Sequence, residues 1–173
     1  MAGYIIFGAS GGIGSALTRR LSARGDNVIA AGRNKEKIEA LVRSTGATPS
    51  IVDATESEDV DRCISDAERT LDRIDGIVNC VGSVLLKPAH ITTDAEWIST
   101  LSTNLSSCFY VLRSGVKHLM KSGGSIVLVS SAAARTGLSN HEAIAAAKAG
   151  VIGLTQAAAA SYGAKNVRVN CVA

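Results

Sequence analysis

Short apolar runs alternate along the whole chain with longer segments whose apolar residues recur at helical spacing. The runs are Tyr4–Phe7, Asn27–Ala31, Thr48–Val52, Gly76–Cys80, Ser125–Ser130 and Val167–Val172. Most are strings of Val and Ile rather than apolar–polar alternations, the pattern of strands covered on both faces. Between them, Ile13–Arg24, Lys35–Ser44, Ser57–Leu71, Asp94–Thr103, Leu105–Lys121 and His141–Tyr162 predict helices. Gly25 and Gly46 follow the first two as C-terminal stops. Asp94 is placed to cap the fourth, with Trp97 and Leu101 on one face. This alternation predicts an α/β fold: a doubly wound parallel sheet of six strands with helices on both faces. No linker or internal repeat interrupts it, so residues 1–173 read as a single domain.

Composition narrows the picture. The chain is 46% hydrophobic but 3% aromatic, so its core is aliphatic and alanine-rich, which suits helices packed closely on a sheet better than a β-sandwich. The net charge of +3 comes from basic residues scattered from Arg19 to Arg168, with no stripe and no basic run interleaved with aromatics. No nucleic-acid partner is expected. Cys63, Cys80, Cys108 and Cys171 lie far apart, with no Cys-x-x-Cys pair and no histidine at ligand spacing. They read as small apolar residues of a reduced, cytoplasmic protein without a metal site. The N-terminus lacks a signal-peptide layout, and Lys148 and Gln156 interrupt the alanine-rich stretch Ala143–Ala160, so no membrane association is expected.

The first candidate chemistry is the turn Gly8-Ala9-Ser10-Gly11-Gly12-Ile13-Gly14, which follows the first strand and opens the first helix. Glycines there allow a sharp turn and let backbone N–H groups approach a pyrophosphate at the helix N-terminus, where the dipole favours negative charge. In a strand–helix–strand rhythm this is the dinucleotide turn of a Rossmann-type domain. The second strand ends Ala31-Gly32-Arg33-Asn34, without the acidic residue that would accept the adenosine ribose hydroxyls. An arginine there can pair with a 2′-phosphate, which favours NADP(H) over NAD(H). The competing reading of Arg33 is a solvated residue at a helix start.

Further signals follow in order: Asp53-Ala54-Thr55 after the third strand, Asn79-Cys80-Val81-Gly82 ending the fourth, and Asn104 opening a helix. Ser130-Ser131 ends the fifth strand, Lys148 lies on the next helix, and the chain closes with Val167-Arg168-Val169-Asn170 before its last residues. Together these resemble the short-chain dehydrogenase/reductase family along the whole chain. The turn fits Gly-x-x-x-Gly-x-Gly, Asn79–Gly82 is similar to the family's Asn-Asn-Ala-Gly, and Phe7 replaces a usual Thr. The resemblance implies an NAD(P)-binding site made of Gly8, Ser10, Gly12, Ile13, Gly14, Arg33, Asp53, Ala54, Asn79, Gly82 and Lys148. Within it Asp53 lies near the adenine, Asn79 and Gly82 beside the cofactor, and Lys148 on the nicotinamide ribose. Ser131 would bond a substrate carbonyl and Asn104 would anchor a proton-relay water. As structural alternatives, Ser131 and Asn104 are caps and Lys148 a solvated helix lysine.

The family's proton donor is a tyrosine four residues before the lysine and thirteen after the serine; both counts lead here to Ile144. Tyr4, Tyr110 and Tyr162 are followed four residues later by Gly8, Ser114 and Asn166, so no other register supplies the motif. His141, three positions earlier, is the leading titratable substitute and Glu142 a weaker one, with a surface or capping role as the alternative for His141. The resemblance also implies a seventh strand and a substrate-covering segment beyond Ala173. The chain is therefore expected to be a fragment or a shortened form, with its sixth strand presenting an open apolar edge. The functional expectation is an NADP(H)-dependent oxidoreductase of a small carbonyl/alcohol pair with an altered acid/base group. The alternative is a non-catalytic dinucleotide-binding sensor or structural protein. Relatives' pairing through the long helices adds the expectation of a homo-oligomer.

Overall fold

The structure, a computed structural model, describes residues 1–173. Its strands are β1 (Gly3–Phe7), β2 (Asn27–Gly32), β3 (Thr48–Ile51), β4 (Gly76–Asn79), β5 (Gly124–Val129) and β6 (Val167–Val172). The helices are α1 (Gly12–Ala23), α2 (Lys35–Thr45), α3 (Ser57–Thr70), α4 (Asp94–Leu101), α5 (Ser107–Ser122) and α6 (Glu142–Tyr162). All strands are parallel, in one sheet of order β3-β2-β1-β4-β5-β6. The winding reverses between β1 and β4, which pair directly with Phe7 opposite Asn79. Connections leave that point in opposite directions and open a crevice at the C-terminal strand ends.

Pleating divides the central strands between two cores. Ile5, Phe7, Ile29, Ala31, Ile77, Ile126 and Leu128 meet α3, α5 and α6 on one face. Ile6, Val28 and Ala30 meet Leu21 of α1 and Ile38 and Leu41 of α2 on the other. Each large aliphatic side chain so buried contributes about 1.5–3 kcal/mol. Double coverage, read from the apolar runs, holds at β1, β2 and β4 and needs correction at the margins. β3 is mostly exposed and contains Pro49, tolerated because β3 pairs with β2 alone. β6 alternates, with Val167 and Val169 buried and Arg168 and Asn170 exposed. It pairs with β5 alone, and the side chains of its exposed face are Arg168, Asn170 and Val172.

Helix ends follow local chemistry. Gly25 and Gly46 take left-handed φ values of 87° and 71°, which suit glycine. The cap of α4 is Thr93, not Asp94: Thr93 Oγ1 accepts from the Glu96 N–H at 3.2 Å and the Glu96 carboxylate accepts from the Thr93 N–H at 2.9 Å. The break expected before Asn104 is also absent. A π-turn over Ser102–Ser106 joins α4 to α5, with the Ser107 N–H bonded to the Ser102 carbonyl. The Asn104 side chain occupies the Thr100 carbonyl at 3.0 Å, a group that a regular α-helix would give to a backbone N–H. Glu142–Lys165 is long and apolar enough to cross a membrane by length and composition, despite Lys148 and Gln156. Here α6 buries Ala143, Ala147, Val151, Thr155 and Ala158, of which Val151 and Ala158 join the core that covers the sheet.

Candidate functional site

The glycines of the first turn divide into two kinds. Gly8 has φ +74°, and a Cβ there would lie 2.8 Å from the backbone of Cys80 and Val81. A Cβ on Gly14 would collide with the Gly8 carbonyl, so this glycine lets α1 close onto the turn. Gly12 is different: it is exposed, and nothing lies within 4 Å of a Cβ built on it. Gly11 caps α1 without a side-chain bond, and the first turn carries no acidic residue. Its leading N–H groups therefore stay open toward an anion. Ile13 beside them is a large apolar side chain 64% exposed.

The crevice itself holds about 210 Å³. The ends of the four strands on the β3 side of β5 bring Gly8, Ser10, Arg33, Asp53, Ala54 and Gly82 to its walls. Gly32, Asn34, Thr55, Val81 and Thr103 line it as well, none of them singled out from sequence as site residues. At one end Arg33 Nη1 stands 3.5 Å from Asp53 Oδ2. Partial burial works to raise the Asp53 pKa, but bonds from Thr55 N–H (2.9 Å) and Thr55 Oγ1 (2.7 Å), with the Arg33 charge, hold it below the ordinary carboxylate value. Asp59 accepts from the Asp53 N–H at 3.2 Å.

At the other end the fold gathers residues distant in sequence. Asn79 is fully buried; its Nδ2 donates to Ser107 Oγ at 3.2 Å and to Cys108 Sγ at 3.3 Å, and its Oδ1 accepts from the Val81 N–H. It thus locks the end of β4 onto α5. Asn104, equally buried, accepts from the Ser83 N–H at 3.0 Å and donates to Ser83 Oγ at 3.0 Å. Lys148 is 6% exposed, and its Nζ donates to the Val129 carbonyl at 2.8 Å. Burial lowers its pKa, because the ammonium has left water with a single protein acceptor. A Cβ on Gly82 would lie 3.1 Å from Asn104 Oδ1 and 3.5 Å from Lys148 Nζ. Gly82 therefore keeps open the space beside both groups.

The remaining candidates are placed differently. Ser131 caps the short 3-10 turn Ala132–Ala134, accepting from the Ala133 N–H at 3.2 Å, while its neighbour Ser130 ties β5 to the Lys148 carbonyl at 2.9 Å. His141 precedes α6, with Nδ1 2.6 Å from the Ser139 carbonyl and no contact to Ser131 or Lys148 among its hydrogen bonds. Ile144 is 4% exposed and packed inside. Ser83 is the partner that sequence reading missed. Its signal lay in its position next to Gly82, but the residue that uses it is 21 positions away.

Fold and site together are those of a Rossmann-type α/β protein with its crevice at the switch point of a parallel sheet. A family model described as Enoyl-(Acyl carrier protein) reductase matches residues 8–173. A 3beta-hydroxysteroid dehydrogenase of Mediterraneibacter gnavus is 32% identical over 97% of this chain and 63% of its own length. A D-threitol dehydrogenase of Mycolicibacterium smegmatis is also 32% identical, over 97% of this chain and 67% of its own length. Among solved structures, a short chain dehydrogenase from Mycobacterium smegmatis superposes with a TM-score of 0.95 at 27% identity, over 98% of this chain and 75% of the other. The chain belongs to the short-chain dehydrogenase/reductase family. It spans about two thirds of the length of these curated relatives.

Proposed function

We propose that the chain is that of an NADP(H)-dependent oxidoreductase acting on a small carbonyl/alcohol pair with an altered acid/base group. The observation that carries this reading is that Gly82, at one end of the crevice, stands directly beside Asn104 and Lys148, while an uncapped helix N-terminus and Arg33 line its other parts. The residues present suit a dinucleotide. Gly8, Ser10, Gly12, Ile13 and Gly14 would hold its pyrophosphate, Arg33 its 2′-phosphate, and Asp53 with Ala54 its adenine. Asn79 and Gly82 would flank it and Lys148 would hold the nicotinamide ribose. When bound, the nicotinamide supplies hydride chemistry.

The chain's own residues supply the rest. Ser131 Oγ accepts from the Ala133 N–H, which leaves its hydroxyl proton free to bond a carbonyl oxygen. Lys148 places positive charge where an alkoxide would develop, and its lowered pKa suits proton transfer better than that of a solvated lysine. Asn104, fixed by Thr100 and Ser83, would anchor a water. His141 is the candidate donor in place of the tyrosine. With Nδ1–H given to the Ser139 carbonyl, its Nε2 would be the nitrogen that exchanges a proton through water.

A specific observation favours the second reading, a non-catalytic sensor or structural binder: the buried Ile144 has no proton to give. The two are separated by NADPH oxidation with a panel of ketones and quinones, run beside His141→Ala. Turnover lost in that variant supports the substitute acid; no turnover from folded, full-length protein supports the binder. Binding is tested first, by calorimetric titration with NADPH and NADH. Tighter NADPH binding that weakens in Arg33→Ala supports the cofactor reading, and no binding of either would remove it.

A cytoplasmic setting and a homo-oligomeric state complete the proposal. Four free cysteines suit a reducing compartment. The exposed small residues of α6, among them Ala146, Ala149, Gly153 and Ala157, would let a second copy approach closely. Light scattering at working concentration is expected to give a multiple of the 17.8 kDa chain mass, and a monomer would exclude the oligomer.

A further inference from the structure

Arg33 and Asp53 face each other at the end of the crevice where a 2′-phosphate would bind, and the two partners are held very differently. Asp53 is fixed on three sides: its Oδ1 accepts from both the N–H and the hydroxyl of Thr55, and its own N–H is bonded to Asp59. Its side chain is 33% exposed. Arg33 is 67% exposed, and its one side-chain bond is the 3.5 Å contact to Asp53. Such a contact is long for a charge-assisted bond. Asp53 is thus the fixed member of the pair and Arg33 the member free to move. Asp59, behind the first carboxylate, is itself paired with Arg62 at 2.5 Å, so Asp53 is the carboxylate left to Arg33.

We infer that Asp53 is a specificity-determining residue: it holds the Arg33 guanidinium, and a 2′-phosphate must take Arg33 from it to bind. The inference rests on the NADP(H) reading above. A 2′-phosphate would accept the guanidinium fork at two oxygens, a stronger partner than one carboxylate oxygen at 3.5 Å. The transfer breaks one exposed ion pair and leaves the Asp53 carboxylate on its Thr55 bonds, beside a new dianion. Selectivity for NADPH over NADH is therefore smaller than Arg33 alone would give, by the strength of the contact it gives up. Any contact between Asp53 and the adenine is common to both coenzymes and cancels in their ratio.

The test measures dissociation constants of NADPH and NADH by calorimetry for the unaltered chain, Asp53→Asn, Arg33→Ala and the double variant. Asparagine keeps an oxygen for Thr55, so the turn is retained, and thermal melting checks each fold. Asp53→Asn is expected to raise the NADPH/NADH preference about three- to fivefold, the scale of one exposed ion pair. Arg33→Ala is expected to lower that preference, and Asp53→Asn is expected to have a clearly smaller effect in the Arg33→Ala background, the residue of carboxylate–phosphate repulsion. An unchanged or lower preference in Asp53→Asn, with Arg33→Ala still harmful, overturns the inference and leaves the NADP(H) reading standing. An equal gain in the double variant assigns the effect to plain charge repulsion and also overturns it. No change of preference in Arg33→Ala removes the reading and the inference together.

Discussion

Gly8 and Gly12 stand four residues apart in one turn and are there for different physical reasons. Gly8→Ala forces a Cβ into the Cys80–Val81 backbone at positive φ. It is expected to lower stability by about 1–3 kcal/mol, read from the denaturation midpoint. Gly12→Ala meets no atom of the protein and is expected to keep that midpoint while weakening dinucleotide binding at least ~10-fold, since a Cβ would stand where a pyrophosphate approaches. Equal binding by Gly12→Ala would mean the phosphates sit elsewhere. Ile144 is the other decisive position. Ile144→Tyr returns a phenol four residues before Lys148 and is expected to raise carbonyl reduction by about 10²–10⁴. A folded variant without any gain would show that another part of the proton path is lost as well. Both the turn and the isoleucine were legible in sequence because each is a local count. Ser83 was not, since its role comes from Asn104 on another element.

The α4–α5 rod shows what elements add to residues. Asn104 reads as the opening of a new helix after Thr103, since its side chain competes for backbone groups. In the fold that competition produces a π-turn instead, and the extra residue turns Asn104 inward toward Ser83 rather than ending the helix. The rod starts at the Thr93–Glu96 box, which Lys87 extends by donating to both Glu96 oxygens at 2.8 and 2.9 Å. Lys87 also gives its N–H to the Asn140 carbonyl, so the segment after β4 is tied to the approach to α6. Thr93→Ala removes the cap and is expected to cost about 0.5–2 kcal/mol of stability in denaturant unfolding. An unchanged midpoint would show that the Lys87 link alone holds this helix start.

Across the whole molecule, Asp53, Asp59 and Asp75 are held below their ordinary pKa, and Glu96 is brought to about 2 by Lys87 and Thr93. Carboxyls depressed in the folded state bind fewer protons than in the unfolded chain. Their contribution is complete above the ordinary value of 4.5 and is lost as pH falls toward about 2. Thermal midpoints are accordingly expected to hold between about pH 7 and 5 and to drop steeply below. A decline already under way at pH 6 would point to other groups. At this scale the sequence by itself determined the parallel α/β architecture, the glycine turn and the isoleucine four residues before Lys148. Apolar runs, turn glycines and fixed spacings are local, and local pattern is what a chain carries openly. Tertiary structure alone decided which strands are margins, that α4 and α5 form one rod, and that Arg33 rests on Asp53. It also decided that Gly82, Asn104 and Lys148 share one space. The Arg33–Asp53 contact and the Gly82–Asn104–Lys148 cluster join residues 20 to 66 positions apart, brought together by the sheet order and by burial rather than by any neighbour in sequence.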